Sequence, residues 1–400
     1  MGNAEWIERS GKAFMTTYGR YPATMVKGRG CTLTDADGRE YLDFLSGIAV
    51  CSLGHCHPAI SEAICQQART LVHVSNLYHT MPQTELAELL LEHSFADRVF
   101  FCNSGAEANE AAIKLARKAS PAGKYEIISL AGSFHGRTLA TVAATGQEKF
   151  HKGFEPLPQG FRHAPFGEIG ALEAMIGPET CAVLCEPLQG EGGVRPLEKE
   201  YLAGIRALCD RHGLLLIFDE IQVGVGRTGS LFAYEQCGVT PDIITLAKAL
   251  ANGLPIGAML AKESVARAFE PGSHASTFGG NPVACAAAVA ALRIMLADGF
   301  LAGVREKGAY LNGQLTALAA KYPRMAGPAR GMGLIQGLPL KEGWLDQGPA
   351  MVNRLFAKGV LLNFAGNKVL RCLPPLIVSQ EEIDRFIAAL DEVFADFAGE

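Results

Sequence analysis

What this sequence lacks narrows it before any motif is read. No stripe of basic residues runs along it and the formal charge is −5, so no nucleic-acid partner is expected. No block of like charges marks a disordered tail, and no internal repeat or low-complexity linker interrupts it. The longest apolar run, Val283 to Leu292, stops at Arg293 and is too short to span a bilayer. The opening MGNAEWIERSGKAF has neither an apolar core nor a small-residue cleavage site, which speaks against a secretion signal. Trp6 stands where a myristoylation signal carries Ser or Thr. A cytoplasmic protein without a membrane partner is the expectation. The 11 cysteines are an odd number with no Cys-x-x-Cys pair, and several lie in apolar runs, as buried reduced thiols do. One cluster, Cys51-Ser-Leu-Gly-His55-Cys56-His57, looks like a metal site. No second ligand cluster of similar density accompanies it, so no metal is expected.

What is present is ample for a large core. The chain has 400 residues, 48% of them apolar and 19% charged, which suits a soluble subunit of two domains. Strand-length apolar runs at Val99–Cys102, Glu126–Leu130, Ala182–Cys185, Leu214–Phe218, Ile243–Leu246 and Ile256–Leu260 alternate with helical patterns such as Ala106–Ala119 and Tyr201–His212. The strands are apolar nearly throughout, as in a sheet covered on both faces. This predicts an α/β domain with a mostly parallel sheet flanked by helices over residues 55–290. Residues 1–54 contain an antiparallel element at Thr32–Leu45 turning at Asp37-Gly38, and residues 291–400 end in an amphipathic helix from Gln380 to Phe397. These two flanks are expected to form one smaller α+β domain.

Open parallel sheets bind ligands beyond the carboxyl ends of their strands. Four such ends carry unusual residues. After Val99–Cys102 comes Asn103-Ser104-Gly105-Ala106-Glu107, where Ser104 and Glu107 suggest a capping box and Gly105 a close backbone approach. That helix start suits a phosphate, though a capped helix without a ligand explains it equally. After Leu214–Phe218 comes Asp219-Glu220-Ile221-Gln222. A carboxylate there needs a cation, such as a protonated pyridine nitrogen or a structural partner. Lys248, in an apolar stretch after Ile243–Leu246, has the desolvation that an amine nucleophile requires; snorkelling from a helix start is the plainer alternative. The loop Ser276-Thr277-Phe278-Gly279-Gly280-Asn281-Pro282 offers either a second phosphate contact or a turn. The pattern Gly224-Val-Gly226-Arg-Thr-Gly229 imitates a dinucleotide fingerprint. However, it lacks a strand immediately before it and an acid ending the next strand, so a nicotinamide dehydrogenase is rejected.

Together these residues resemble the class III (subgroup II) aminotransferases, pyridoxal-5′-phosphate (PLP) enzymes of fold type I. Similarity runs from about Tyr18 to the C-terminus. It is carried by Phe101-Cys-Asn-Ser-Gly-Ala-Glu-Ala-Asn-Glu110, Glu186-Pro-Leu-Gln-Gly-Glu-Gly-Gly193, Phe218-Asp-Glu-Ile-Gln222 and Ser276-Thr-Phe-Gly-Gly-Asn-Pro282. Leu45-Ser-Gly-Ile-Ala-Val50, Ser75-Asn-Leu-Tyr78, Phe134-His-Gly-Arg-Thr138 and Gly153-Phe-Glu-Pro-Leu-Pro158 match best the branch acting on N2-acetyl-L-ornithine. Branches acting on succinylornithine, ornithine or 4-aminobutyrate share the chemistry, and decarboxylases and aminomutases share the fold.

The resemblance implies a ping-pong exchange of an amino group with 2-oxoglutarate. Lys248 would hold the cofactor as a Schiff base, and Asp219 would sit at its ring nitrogen. Ser104, Gly105 and Ala106 would take the phosphate, Phe134 would stack on the ring, and Glu220, Ile221 and Gln222 would complete the cofactor shell, with Gln222 on the 3′-oxygen. Thr277 would reach the phosphate of a neighbouring subunit, making a homodimer with shared sites. Arg137, helped by Ser276, would hold the donor's α-carboxylate. Arg371 would hold that of glutamate or 2-oxoglutarate, and Glu191 would neutralise Arg371 in between. Ile48 would face the acylated end of the donor, at a position where ornithine-specific members carry a tyrosine.

Overall fold

The computed structural model describes residues 1–399. Its centre is a seven-stranded sheet in the order Arg98–Cys102, Gly257–Ala261, Ile243–Leu246, Leu215–Asp219, Thr180–Cys185, Glu126–Leu130, Phe161–Ala164. Every pairing is parallel except the two made by Gly257–Ala261, which runs against both neighbours. Six strands fall within a residue or two of the expected runs because Val, Ile and Leu are buried on both faces there. Phe161–Ala164 was not expected. It is an edge strand whose Arg162 and His163 break the apolar run that marks the others.

Helices Gly105–Ala119, Lys199–His212 and Pro282–Met295 contribute to the covering layers, and their buried faces are rich in alanine and leucine. No single helix among the described residues is long and apolar enough to cross a membrane. Three smaller sheets lie outside the central one. Met25–Arg29, Thr32–Asp35 and Glu40–Asp43 form the first, which Val360–Leu361 extends beside Glu40–Asp43; Arg330–Met332, Ile335–Pro339, Val369–Cys372 and Asn363–Ala365 form the second, and Leu188–Gln189 with Arg195–Pro196 the third. Residues from both ends of the chain therefore share one sheet. The final helix, Gln380–Gly399, buries Phe386, Phe394 and Phe397, and Phe386 stacks on Phe44 with centroids 4.0 Å apart.

Candidate active site

The carboxyl ends of the central strands and the start of the antiparallel one enclose a cleft of about 420 Å³. The strand Leu215–Asp219 ends on a carboxylate that is only 3% exposed. Asp219 Oδ2 accepts from His135 Nδ1 and Asn109 Nδ2, both at 2.8 Å, and Oδ1 accepts from the Ile221 amide at 3.0 Å. Thr245 Oγ1 donates to Asn109 Oδ1 at 2.8 Å and so fixes the asparagine. Three of about four acceptor directions are thus occupied, and among the described residues no lysine or arginine pairs with Asp219. A basic ring nitrogen would fit the remaining direction.

Lys248 follows the strand Ile243–Leu246 with φ +39°, a conformation that lysine adopts only under constraint. Burial pushes its ammonium down to about 8, with Glu191 opposing the fall and Arg371 adding to it. Its Nζ lines the cleft, and no described residue bonds to it. Phe134 presents its ring to the same space. Its amide donates to Glu186 Oε1 at 2.9 Å, while the Gly190 amide donates to Glu186 Oε2 at 3.2 Å. Burial, with Asp219 second, pushes the Glu186 carboxyl well above the usual carboxylate range.

Opposite, the helix Gly105–Ala119 starts at the cleft wall. Ser104 Oγ accepts from the Glu107 amide at 3.2 Å, as a cap should. The expected capping box does not close: Glu107 Oε2 instead accepts from the Asn103 amide and side chain, at 2.7 and 2.8 Å, because Asn103 offers two donors to one oxygen. No described residue accepts from the amides of Gly105 and Ala106, which remain free for an anion. A side chain at Gly105 would lie 2.8 Å from Ile221, so glycine is required there. Gln222 and Ile221 line the cleft. Glu220, also expected in the cofactor shell, does not. It alternates to the far side of Asp219, where its carboxylate accepts from the amides of Ala233 (2.6 Å) and Tyr234 (2.8 Å).

At the far end, Arg371 is fully buried on the strand Val369–Cys372. Its Nη1 donates to Glu191 Oε1 at 2.7 Å and to Gln222 Oε1 at 2.9 Å, and its Nε donates to Asn363 at 3.2 Å. Its Nη2 is buried with no partner. Burial would raise Glu191, but Arg371 and Lys248 hold it below the ordinary carboxylate range. Arg137 is exposed at the cleft wall, 4.2 Å from the Phe150 centroid and 5.7 Å from that of Phe134. Ile48 is 40% exposed, two residues from Val50 on the cleft wall. It belongs to a turn in which Ser46, Gly47, Ile48 and Ala49 all have φ between +46° and +67°. Such a left-handed run costs about 1–2 kcal/mol per non-glycine residue and persists only where its surroundings over-determine it.

Of the expected residues, Ile48, Glu220, Ser276, Thr277 and Arg371 do not line the cleft, although Arg371 bonds to Glu191 and Gln222, which do. Ser276 Oγ accepts from Gly279 N at 2.9 Å and Asn103 Nδ2 at 3.1 Å, and Thr277 is exposed beside His73, Asn76 and Gln83. His135, Asn109 and Glu186 were given no role by sequence reasoning. His135 stood inside a quoted motif, yet its partner Asp219 is 84 residues away and nothing local links them. In the Cys51–His57 cluster His55 Nε2 bonds to Asp43 Oδ2 at 2.7 Å, and among the described residues no group of three His, Cys, Asp or Glu side chains is placed to hold a metal.

Pyridoxal phosphate carries the complement of each feature: an aldehyde for the free amine, a basic ring nitrogen for the buried carboxylate and a phosphate for the open helix end. The cleft is therefore that of a PLP-dependent enzyme. The comparison with known proteins gives the family. The chain belongs to the class III aminotransferases, whose model (Aminotransferase class-III) matches residues 14–394. It is 52% identical over 394 residues to an acetylornithine aminotransferase from Thermosynechococcus vestitus, covering 96% of this chain and 95% of the relative. It superimposes on an ornithine aminotransferase from Toxoplasma gondii with a TM-score of 0.94 at 32% identity, covering 100% and 96% of the two chains. With an N-acetylornithine aminotransferase from Stenotrophomonas maltophilia the values are 0.84 and 38%, covering 98% and 99%.

Proposed function

We propose that this enzyme moves the δ-amino group of N2-acetyl-L-ornithine to 2-oxoglutarate, giving N-acetyl-L-glutamate 5-semialdehyde and L-glutamate, a step of arginine biosynthesis. The observation that carries the reading is the pair of unequal arginines. Arg371 is closed by Glu191 at 2.7 Å, and Arg137 has no carboxylate partner among the described residues. A ping-pong enzyme must accept two substrates whose carboxylates lie at different distances from the reacting amine. One permanent and one switchable guanidinium meet that demand. The name of the Thermosynechococcus relative supports the same donor.

In this reading PLP supplies the carbonyl that receives the amine and the electron sink for the breaking carbon–hydrogen bond. Lys248 Nζ takes the proton from the amine-bearing carbon of the donor and returns one in the second half-reaction. A lysine pushed down to about 8 is matched to that work at neutral pH. Asp219, oriented by His135 and Asn109, keeps the ring nitrogen protonated. Ser104, Gly105 and Ala106 would hold the phosphate, Phe134 would pack against the ring, and Gln222 would contact the 3′-oxygen. Arg137 and Ser276 take the donor's α-carboxylate, and Arg371, once freed from Glu191, takes that of the keto acid.

The homodimer, with the partner subunit's Thr277 on the phosphate, belongs to the same proposal. So do the cytoplasmic location and the division into residues 1–54 and 291–400 around 55–290. Leu77 and Met81, 86% and 85% exposed near the Thr277 loop, support a covered surface there.

Free ornithine is the second reading, favoured by the TM-score of 0.94 to the Toxoplasma enzyme. Ile48 weighs against it, since a free ammonium facing an apolar side chain loses water without gaining a partner, at about 1–3 kcal/mol. A panel of ω-amino donors with 2-oxoglutarate tests the assignment. Acetylornithine should exceed ornithine in kcat/KM by at least about tenfold. Equal use of ornithine moves the chain to the ornithine branch, and faster use of succinylornithine changes the acyl group.

A further inference from the structure

The Gly-x-Gly-x-x-Gly pattern rejected as a dinucleotide site has an occupant of its own. Between Gly226 and Gly229, both with φ above +80°, stands Arg227, 0% exposed and without a carboxylate in ion-pair contact. Its Nη1 donates to the carbonyls of Leu334 (3.0 Å) and Pro374 (2.5 Å), and its Nη2 to Ser52 Oγ (3.0 Å) and Ser46 Oγ (3.5 Å). Its own carbonyl accepts from the Leu334 amide at 3.0 Å. Ser46 begins the left-handed turn that contains Ile48, and its Oγ donates to the Leu373 carbonyl at 2.6 Å. Pro374 lies three residues beyond Arg371. One guanidinium thus joins the segment after Gln222 to the turn with Ile48 and to the strand end with Arg371. A buried arginine adds little stability over an apolar side chain of its size; what it adds is a fixed geometry among the groups it binds.

We propose that Arg227 is a positioning residue for substrate recognition: it sets Arg371 and the Ser46–Ala49 turn at their working distance from the cofactor floor. The inference rests on the reading of Arg371 and Ile48 as substrate-binding residues. It is tested with Arg227→Lys and Arg227→Met holoenzymes, alongside Arg371→Gln, by following each half-reaction and cofactor retention. Misplacement by about an ångström is enough for large losses, so KM for 2-oxoglutarate should rise about tenfold in Arg227→Lys, and more in Arg227→Met. In Arg227→Lys, kcat and PLP affinity should stay within about threefold, because binding rather than chemistry is disturbed. An unchanged KM overturns the proposal, as does a fall of kcat and cofactor retention in step with the rise in KM. If Arg227→Met fails to fold, Arg227→Lys decides alone. A normal KM in Arg371→Gln removes the underlying reading instead. A high KM there, with normal values in the Arg227 variants, removes only the role of Arg227.

Discussion

The two ends of the cleft are built differently. At the floor, Asp219 accepts three hydrogen bonds, one of its donors is itself held by Thr245, and the side chains of Asp219, His135, Asn109 and Thr245 are all buried. At the far end Arg371 keeps a buried Nη2 without a partner, Arg137 rests on aromatic rings, and Ile48 is exposed on a strained turn whose Ser46 and Ala49 are buried. The floor serves one cofactor that stays through both half-reactions, so preorganisation is all gain. In the proposed function the far end releases one substrate and accepts another, which calls for groups whose partners can change.

The largest effects should come from breaking the floor. Lys248→Ala should lower turnover by about 10⁶-fold, the scale for losing a covalent catalyst, and abolish the visible absorbance band of the holoenzyme. Appreciable turnover by that variant would show that another group carries the cofactor. Asp219→Asn should cost on the order of 10³-fold in kcat; a fall below tenfold would mean that something else protonates the ring. His135→Phe removes one donor to Asp219 and should cost about 10- to 100-fold, the range for an outer partner of a reacting centre. An effect as large as that of Asp219→Asn would make the histidine more than an orienting group.

How much of this was legible follows the same division. The floor's strand ends could be read because each is a largely apolar run followed by a charged residue, as in Leu215–Phe218 before Asp219 and Ile243–Leu246 before Lys248. The partners that complete the floor could not. His135 and Asn109 reach Asp219 from 84 and 110 residues away, and only folding brings them together. The direction of Glu220 was not legible for a related reason: its place beside Asp219 in sequence puts its carboxylate on the opposite side of the strand end, at the amides of Ala233 and Tyr234. At the far end, Arg371 was singled out by family resemblance alone. Its burial and its contact with Glu191, 180 residues earlier, belong to the fold.

Smaller effects sharpen the comparison. Burial pushes Lys248 down to about 8 in the folded protein, so its free-amine fraction grows as pH rises through that value. Loading of cofactor-free protein with PLP, followed by absorbance, should therefore accelerate up to about pH 8 and level off above it. A rate still climbing at pH 10 would mean an ordinary lysine. Ile48→Gly should relieve left-handed strain and stabilise the protein by about 1 kcal/mol in thermal unfolding, while weakening preference for the acylated donor. Destabilisation instead would show that the isoleucine packs rather than strains.

The division of labour between Glu191 and Arg371 is tested most directly by single-turnover half-reactions of Glu191→Gln beside the unmodified enzyme. With the carboxylate gone, the charge of Arg371 is no longer neutralised while the acylated donor binds, although its bonds to Gln222 and Asn363 remain. The account predicts a fall of about tenfold in the donor half-reaction, with the 2-oxoglutarate half-reaction within about threefold of normal. An equal loss in both halves, or a loss confined to 2-oxoglutarate, would contradict a switchable arginine.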